Sequence, residues 1–234
     1  MTMSYISRRA AVDGIADHML RNVPQSYTHV HSLQALVREI SNGVSALGSL
    51  HATPNPTDNS FAHVKRVGTA AKKLKEKSEA ISEKAHLLVR EGLNDINRRI
   101  GSRVDMKPDE KYGQEIRSLY RSLKPGEQIA MLSQLARENR GGELCALIDA
   151  PSSVTGITKE VAERHRQQII SIHAASEHAE QTVLLEALPA VFSALRVANE
   201  MAAEYENPQT LAKIAKGEEA AKAADAAFSD AVQS

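Results

Sequence analysis

The chain has 234 residues, of which 42% are hydrophobic and only 3% aromatic, and it contains no tryptophan. Lys and Arg (29) balance Asp and Glu (29), so net charge gives no general indication of nucleic-acid binding. Its one cysteine cannot form an internal disulfide, and no apolar run approaches the roughly 18–20 residues of a membrane span. Helix-forming residues such as Ala, Leu, Glu and Lys dominate the middle and end. We therefore expect an all-α protein without a membrane span, made inside the cell.

Two N-terminal segments carry apolar residues at helical spacing. The first helix is predicted over residues 4–23, before Pro24, and the second begins at an N-cap, Ser32. Both belong to a predicted N-terminal helical segment, residues 1–50. The following residues, 51–60, contain two prolines and two asparagines without periodicity, which is typical of a linker.

A seven-residue repeat is the most informative pattern, in a helix predicted over residues 61–103. Its large apolar row, the predicted packing seam, consists of Val67, Leu74, Ile81 and Leu88. Beside it runs a row of smaller residues, namely Val64, Ala71, Ser78, Ala85 and Gly92. Small residues let a partner backbone approach closely, so this coiled-coil pattern predicts a second long helix packed along the first at a shallow angle.

Basic residues cluster near the start of the same helix. Residues 61–124 contain 16 basic and 9 acidic side chains, and residues 125–234 contain 9 and 16. The predicted basic face consists of Lys65, Arg66, Lys72, Lys73 and Lys75. It is interpreted first as a solvated or acidic-partner surface; contact with nucleic-acid phosphates is the alternative, although acidic residues follow and no aromatic residues offer base stacking. Membrane-surface binding is disfavoured because large apolar anchors are missing from the helix.

The remaining core region, within residues 61–207, divides into short and long helical patterns. Pro108 and Asp109 are predicted to open a cluster of short helices that reaches residue 150. A long apolar stripe then runs from an N-cap at Thr158 toward residue 205, with a kink predicted at Pro189. The fold class is therefore an elongated helical bundle with two long helices and a short-helix cluster. Residues 208–234 form an Ala-rich helical tail with little bulk to anchor it.

The sequence contains no recognisable catalytic or metal-binding motif. Nine histidines show no HExxH spacing, and neither CxxC nor an acidic calcium loop is present. Cys145 lies in an apolar run, which favours a buried, inert thiol. Gly43 and Gly48 have P-loop spacing, but Ser49 stands where lysine must meet the phosphates. We therefore expect a non-enzymatic protein with no catalytic residues, cofactor or metal.

A further pattern comprises Gly113–Gln128, Leu132, Leu135, Leu144–Pro151 and Gly156–Thr158. It resembles proteins of tailed bacteriophages and prophages, encoded near portal and capsid genes, with an "EIR…R…L" helix, a short leucine helix and an "L…A…P…GL" turn. The resemblance covers about residues 108–166 and implies a virion or head-assembly role. It transfers no active-site residue.

These observations favour a structural or assembly component of a tailed-phage virion, in the head, connector or interior, assembled in the host cytoplasm. Its expected partners are further copies of itself and other virion proteins. The alternatives are a DNA-associated helical protein that aids genome packaging or delivery, and a general coiled-coil interaction module.

Overall fold

The computed structural model describes residues 4–19, 21–56, 59–107, 112–206 and 208–233. The fold is 87% helical, with no strand among those residues, so the all-α prediction is confirmed. The helices are α1 (Tyr5–Met19), α2 (Thr28–Ala52), α3 (Ser60–Val104), α4 (Gly113–Ser122), α5 (Pro125–Arg137), α6 (Gly141–Ile148), α7 (Ser152–Thr155), α8 (Lys159–His173), α9 (Ala175–Glu206) and α10 (Pro208–Gln233).

Two compact units divide these helices. The first unit comprises residues 1–89 and 186–234, and the second comprises residues 90–185. Both α3 and α9 therefore contribute one part to each unit.

In the first unit, α1 packs against α2, and the start of α3 packs beside the end of α9. The side chain of Ser41 donates to Asp13 at 2.5 Å, which joins α2 to α1. His86 lies 5.1 Å from Phe192 between ring centroids, whereas Val67, nearer the start of α3, lines a cleft with Tyr205. The order of these contacts shows that α3 and α9 run antiparallel in this unit.

The second unit gathers the short helices around an aliphatic core. The fully buried side chains in it include Leu132, Leu135, Leu144, Leu147 and Ile169. These residues come from α5, α6 and α8, each of which is too short to be stable alone and is held by packing of its apolar face. The predicted cluster of short helices is present, while Pro108 and Asp109 lie outside the described residues.

Three predicted helix boundaries are wrong. The first helix ends at Met19 rather than at residue 23, and α2 begins at Thr28 rather than after Ser32. The Ser32 hydroxyl donates to the Thr28 carbonyl oxygen at 2.9 Å, so it bonds within the helix instead of capping it.

The third correction concerns the stripe from Thr158, which forms two helices instead of one. Thr158 does cap α8, accepting from the Val161 N–H at 3.4 Å. However, α8 ends at His173, and Ala174 leaves the helical conformation at φ −133° and ψ 36°. The His173 ring donates to the Ala136 carbonyl oxygen at 3.0 Å, which ties the end of α8 to α5. Pro189 lies inside α9, which continues through it.

Candidate functional site

The predicted packing seam lies largely in the core. Val67, Leu74 and Ile81 are 4–6% exposed, but Leu88 is half-buried and Val89, at 6% exposure, occupies the buried position instead. The buried row repeats every eleven residues, as in Val67, Ser78, Val89 and Ile100. An eleven-residue repeat averages about 3.67 residues per turn, close to a straight helix, whereas a seven-residue repeat drifts about 20° per heptad.

Glycines of α2 permit close helix packing rather than phosphate binding. A Cβ atom at Gly43 would stand 2.7 Å from Leu74 Cδ1, and one at Gly48 would overlap the Tyr5 ring. Both glycines therefore face side chains of neighbouring helices. Their P-loop-like spacing has a packing explanation.

The predicted basic face is divided between paired and unpaired cations. Lys65 Nζ donates to Glu218 at 2.7 Å, and Arg66 contacts His63 at 3.5 Å. Lys72, Lys73 and Lys75 are exposed and form no ion pair with any described residue. Three of the five predicted cations thus remain open to solvent.

A shallow groove lies between the beginning of the predicted basic face on α3 and the end of α2. Lys65, Arg66 and Lys73 line it together with Leu50 and Ala70, and its volume is about 430 Å³. Because cations surround an apolar floor, the groove is chemically suited to an anionic partner.

The tail is helical, and Leu211 and Glu218 in its first three turns contact α3. A Cβ atom at Gly68 would lie 2.8 Å from Leu211 Cδ1, so glycine is what allows α10 to approach α3 there. Ile214 is 7% exposed, but every side chain described after it is exposed, and Phe228 is 71% exposed. The acidic Glu218 meets Lys65 of the predicted basic face within one protomer.

Two buried carboxylates in the second unit escaped sequence analysis. Glu177 and Glu180 are each 4% exposed; Arg103 Nε lies 2.6 Å from Glu177 and Arg99 Nη2 lies 2.6 Å from Glu180. Burial opposes ionisation of Glu177, but hydrogen bonds from Ser176 and its own backbone N–H, with the two arginines, lower its pKa. The ion pairs join α3 to α9. In the sequence, the position of Glu177 in the first turn of a helix favours a carboxylate there but does not indicate that it is buried.

Because the pKa of Glu177 is lower in the folded than in the unfolded protein, its ionisation stabilises the fold above the ordinary pKa of a glutamate. That contribution is lost as the pH falls through the lowered value. The pairs therefore have a structural role at neutral pH.

Cys145, His165 and His51 contribute to packing and internal contacts. The Cys145 thiol is 2% exposed, and burial, with the nearby Asp149 carboxylate, raises its pKa to about 12. A thiol this protonated is a poor nucleophile at neutral pH. The buried His165 ring contacts Gln168 at 3.0 Å, and His51 stacks on Tyr205 with centroids 4.3 Å apart.

Within the part of the chain that the structure describes, no group of three or more His, Cys, Asp or Glu side chains could hold a metal ion. By length and composition alone, one stretch of the described residues, Ala175–Ser229, which covers α9 and most of α10, could cross a membrane. Core helices of soluble proteins pass the same test, so the prediction of no membrane span stays a prediction.

The comparisons with known proteins give no identification: no family model matches the chain, and no curated protein or solved structure matches it significantly. The resemblance of residues 108–166 to phage proteins therefore stays a prediction. The surfaces of α3 and α10 are the candidate functional site.

Proposed function

We propose that the chain is a structural or assembly component of a tailed-phage virion and works by helix packing with further copies and other virion proteins. The phage context rests on the resemblance of residues 108–166. The assembly role rests on one observation: α10 continues beyond Ile214 as a helix whose described side chains are all exposed.

An unsupported helix of this kind is marginal in water. Ordering the backbone costs about 1–2 kcal/mol per residue, whereas burial contributes only about 25 cal/mol per Å² of apolar surface. Alanine favours the helical conformation, but the described alanine side chains after Ile214 are all exposed. A neighbouring protein in an assembly supplies the missing surface, and Phe228 is the largest side chain available to dock on it.

Hydrogen exchange tests this proposal in free protein and in purified particles of the phage or prophage that encodes the chain. We expect fast exchange of the amides of residues 215–229 in the dilute free protein and slow exchange in the particle. Strong protection of these amides in a dilute monomer would contradict the assembly argument, as would absence of the protein from the particles.

A matched pair of variants gives the particle experiment its control. Phe228→Asp removes the large apolar side chain and should reduce incorporation, whereas Ser229→Asp adds the same charge on the next, exposed residue and should not. Equal incorporation of both variants would mean that Phe228 makes no docking contact.

A DNA-associated role is the second candidate, because Lys72, Lys73 and Lys75 are exposed without an ion pair among the described residues. Under the assembly proposal, replacing these three lysines by Gln leaves the fold intact and changes DNA affinity less than about twofold. Under the DNA proposal, affinity falls strongly and the slope of log K against log salt decreases by about one for each phosphate that is no longer neutralised. Filter binding or anisotropy over a salt series distinguishes the two.

A further inference from the structure

Four charged residues of α3 form a surface in the first unit that we call the charge face: Lys72, Lys75, Glu79 and Glu83. All four are exposed, and none forms an ion pair with any other residue that the structure describes. With 3.6 residues per turn, they lie within an arc of about 80° on one side of the helix. Two cations are therefore followed by two anions along one face, over about 16 Å.

The acidic end of the charge face borders a groove between α3 and α9. The groove has a volume of about 730 Å³; Glu79 and Glu83 line its α3 side, and Arg196 and Glu200 line its α9 side. Three carboxylates and one guanidinium give this lining a formal charge of −2. Phe192, which is half-buried, also lines the groove, so the groove offers some apolar surface beside the carboxylates.

We propose that the charge face and this groove bind the same surface of a second copy of the chain, in an antiparallel dimer with a two-fold axis near residues 77 and 78 of α3. This inference rests on the proposed assembly function and assigns that function a surface. In this register Lys72 lies opposite Glu83 of the second copy and Lys75 lies opposite Glu79, and symmetry generates each pair twice.

The order of charges selects a second copy over other partners. A nucleic acid would be repelled by the two glutamates, and a uniformly basic segment would be repelled by the two lysines. An antiparallel copy of the same face satisfies all four charges, because its basic end meets the acidic end and the reverse.

The apolar part of the groove adds to these ion pairs. Exposed ion pairs are individually weak and are screened by salt. The aliphatic stems of Lys72 and Lys75 from the second copy can cover the exposed part of Phe192 while their ammonium groups stay beside the carboxylates. Because salt screens the ion pairs, the dimer weakens at high salt.

Charge reversal tests the proposal by sedimentation velocity of the full chain over the micromolar range, at low and high salt. K72E/K75E makes the whole face acidic and E79K/E83K makes it basic, so each variant alone should self-associate about tenfold more weakly or worse. An equimolar mixture of the two should restore association, and so should the quadruple variant K72E/K75E/E79K/E83K, in which the order of charges is reversed.

The control variant K73E/K84E makes the same charge change as K72E/K75E on the same helix. Both of its residues are exposed and lie outside the charge face, so its self-association should match that of the natural chain. Circular dichroism and melting temperature confirm that every variant is folded.

Several results would overturn the proposal: a natural chain that stays monomeric throughout, double variants that associate as it does, or a mixture that fails to restore association. If the natural chain associates and the variants are unaffected, the assembly function stands and uses another surface. If the charge reversals behave as expected but the protein is absent from purified particles, the surface stands and the virion function fails.

Discussion

Ile81→Asp should remove about 4 kcal/mol or more of folding stability, a large share of the roughly 5–15 kcal/mol that a protein of this kind possesses. Ile81 is 5% exposed in the predicted packing seam of α3, so a carboxylate there would lose its water without gaining a partner. Urea denaturation followed by helical circular dichroism measures the loss directly.

Leu88→Asp is the matched comparison, because the seven-residue pattern predicts equal burial of residues 81 and 88. Leu88 is half-buried, so its carboxylate can reach water, and the expected cost is about 1–2 kcal/mol of lost apolar burial. Equal losses for the two variants would favour the strict heptad seam over the eleven-residue row.

The features that the sequence predicted correctly are those that depend on residues close together in the chain. Helix-forming composition and apolar periodicity predicted the all-α fold, and the position of Thr158 before an apolar stripe predicted its cap. The apolar run around Cys145 predicted its burial. In each case neighbouring residues along the chain determine the outcome.

The features it missed depend on contacts between distant parts of the chain. The break at Ala174 accompanies a bond from His173 to the end of α5, which no helical period encodes. In the sequence, Glu177 and Glu180 look like exposed glutamates on a helix surface. Their ion pairs with arginines of α3 offset the cost of burying the two carboxylates.

The candidate surfaces also combine features set by local sequence with features set by contacts between distant residues. The sequence identified the basic residues of α3 but could not tell which were paired, since the partner of Lys65 is Glu218 on α10. Likewise, the order of the charge face, two lysines followed by two glutamates, is visible in the sequence. The groove beside it became visible only when α9 was placed alongside.

Gly141→Ala is expected to destabilise the second unit by about 3 kcal/mol or more, because the new methyl group would overlap backbone atoms. A Cβ atom at Gly141 would overlap the Val104 carbonyl oxygen and lie 2.9 Å from its carbonyl carbon. A side chain could rotate away from such a clash. The final carbonyl of α3 cannot, since the Asn139 amide donates to the adjacent Arg103 carbonyl oxygen at 2.9 Å and Asp105 turns sharply at φ 41°.

Gly126→Ala supplies the control in the same unit, measured by the same urea titration. Gly126 lies in the first turn of α5, where an added Cβ would meet no atom within 4 Å, so alanine should stabilise the protein by about 0.4–1 kcal/mol by restricting the unfolded chain. If Gly141→Ala lowers the free energy of unfolding and Gly126→Ala raises it, the loss at Gly141 comes from the close backbone contact and not from a general effect of alanine in a helix. If Gly141→Ala were also neutral or stabilising, the end of α3 could not lie this close to the start of α6, and the junction that orders the short-helix cluster would need a different packing.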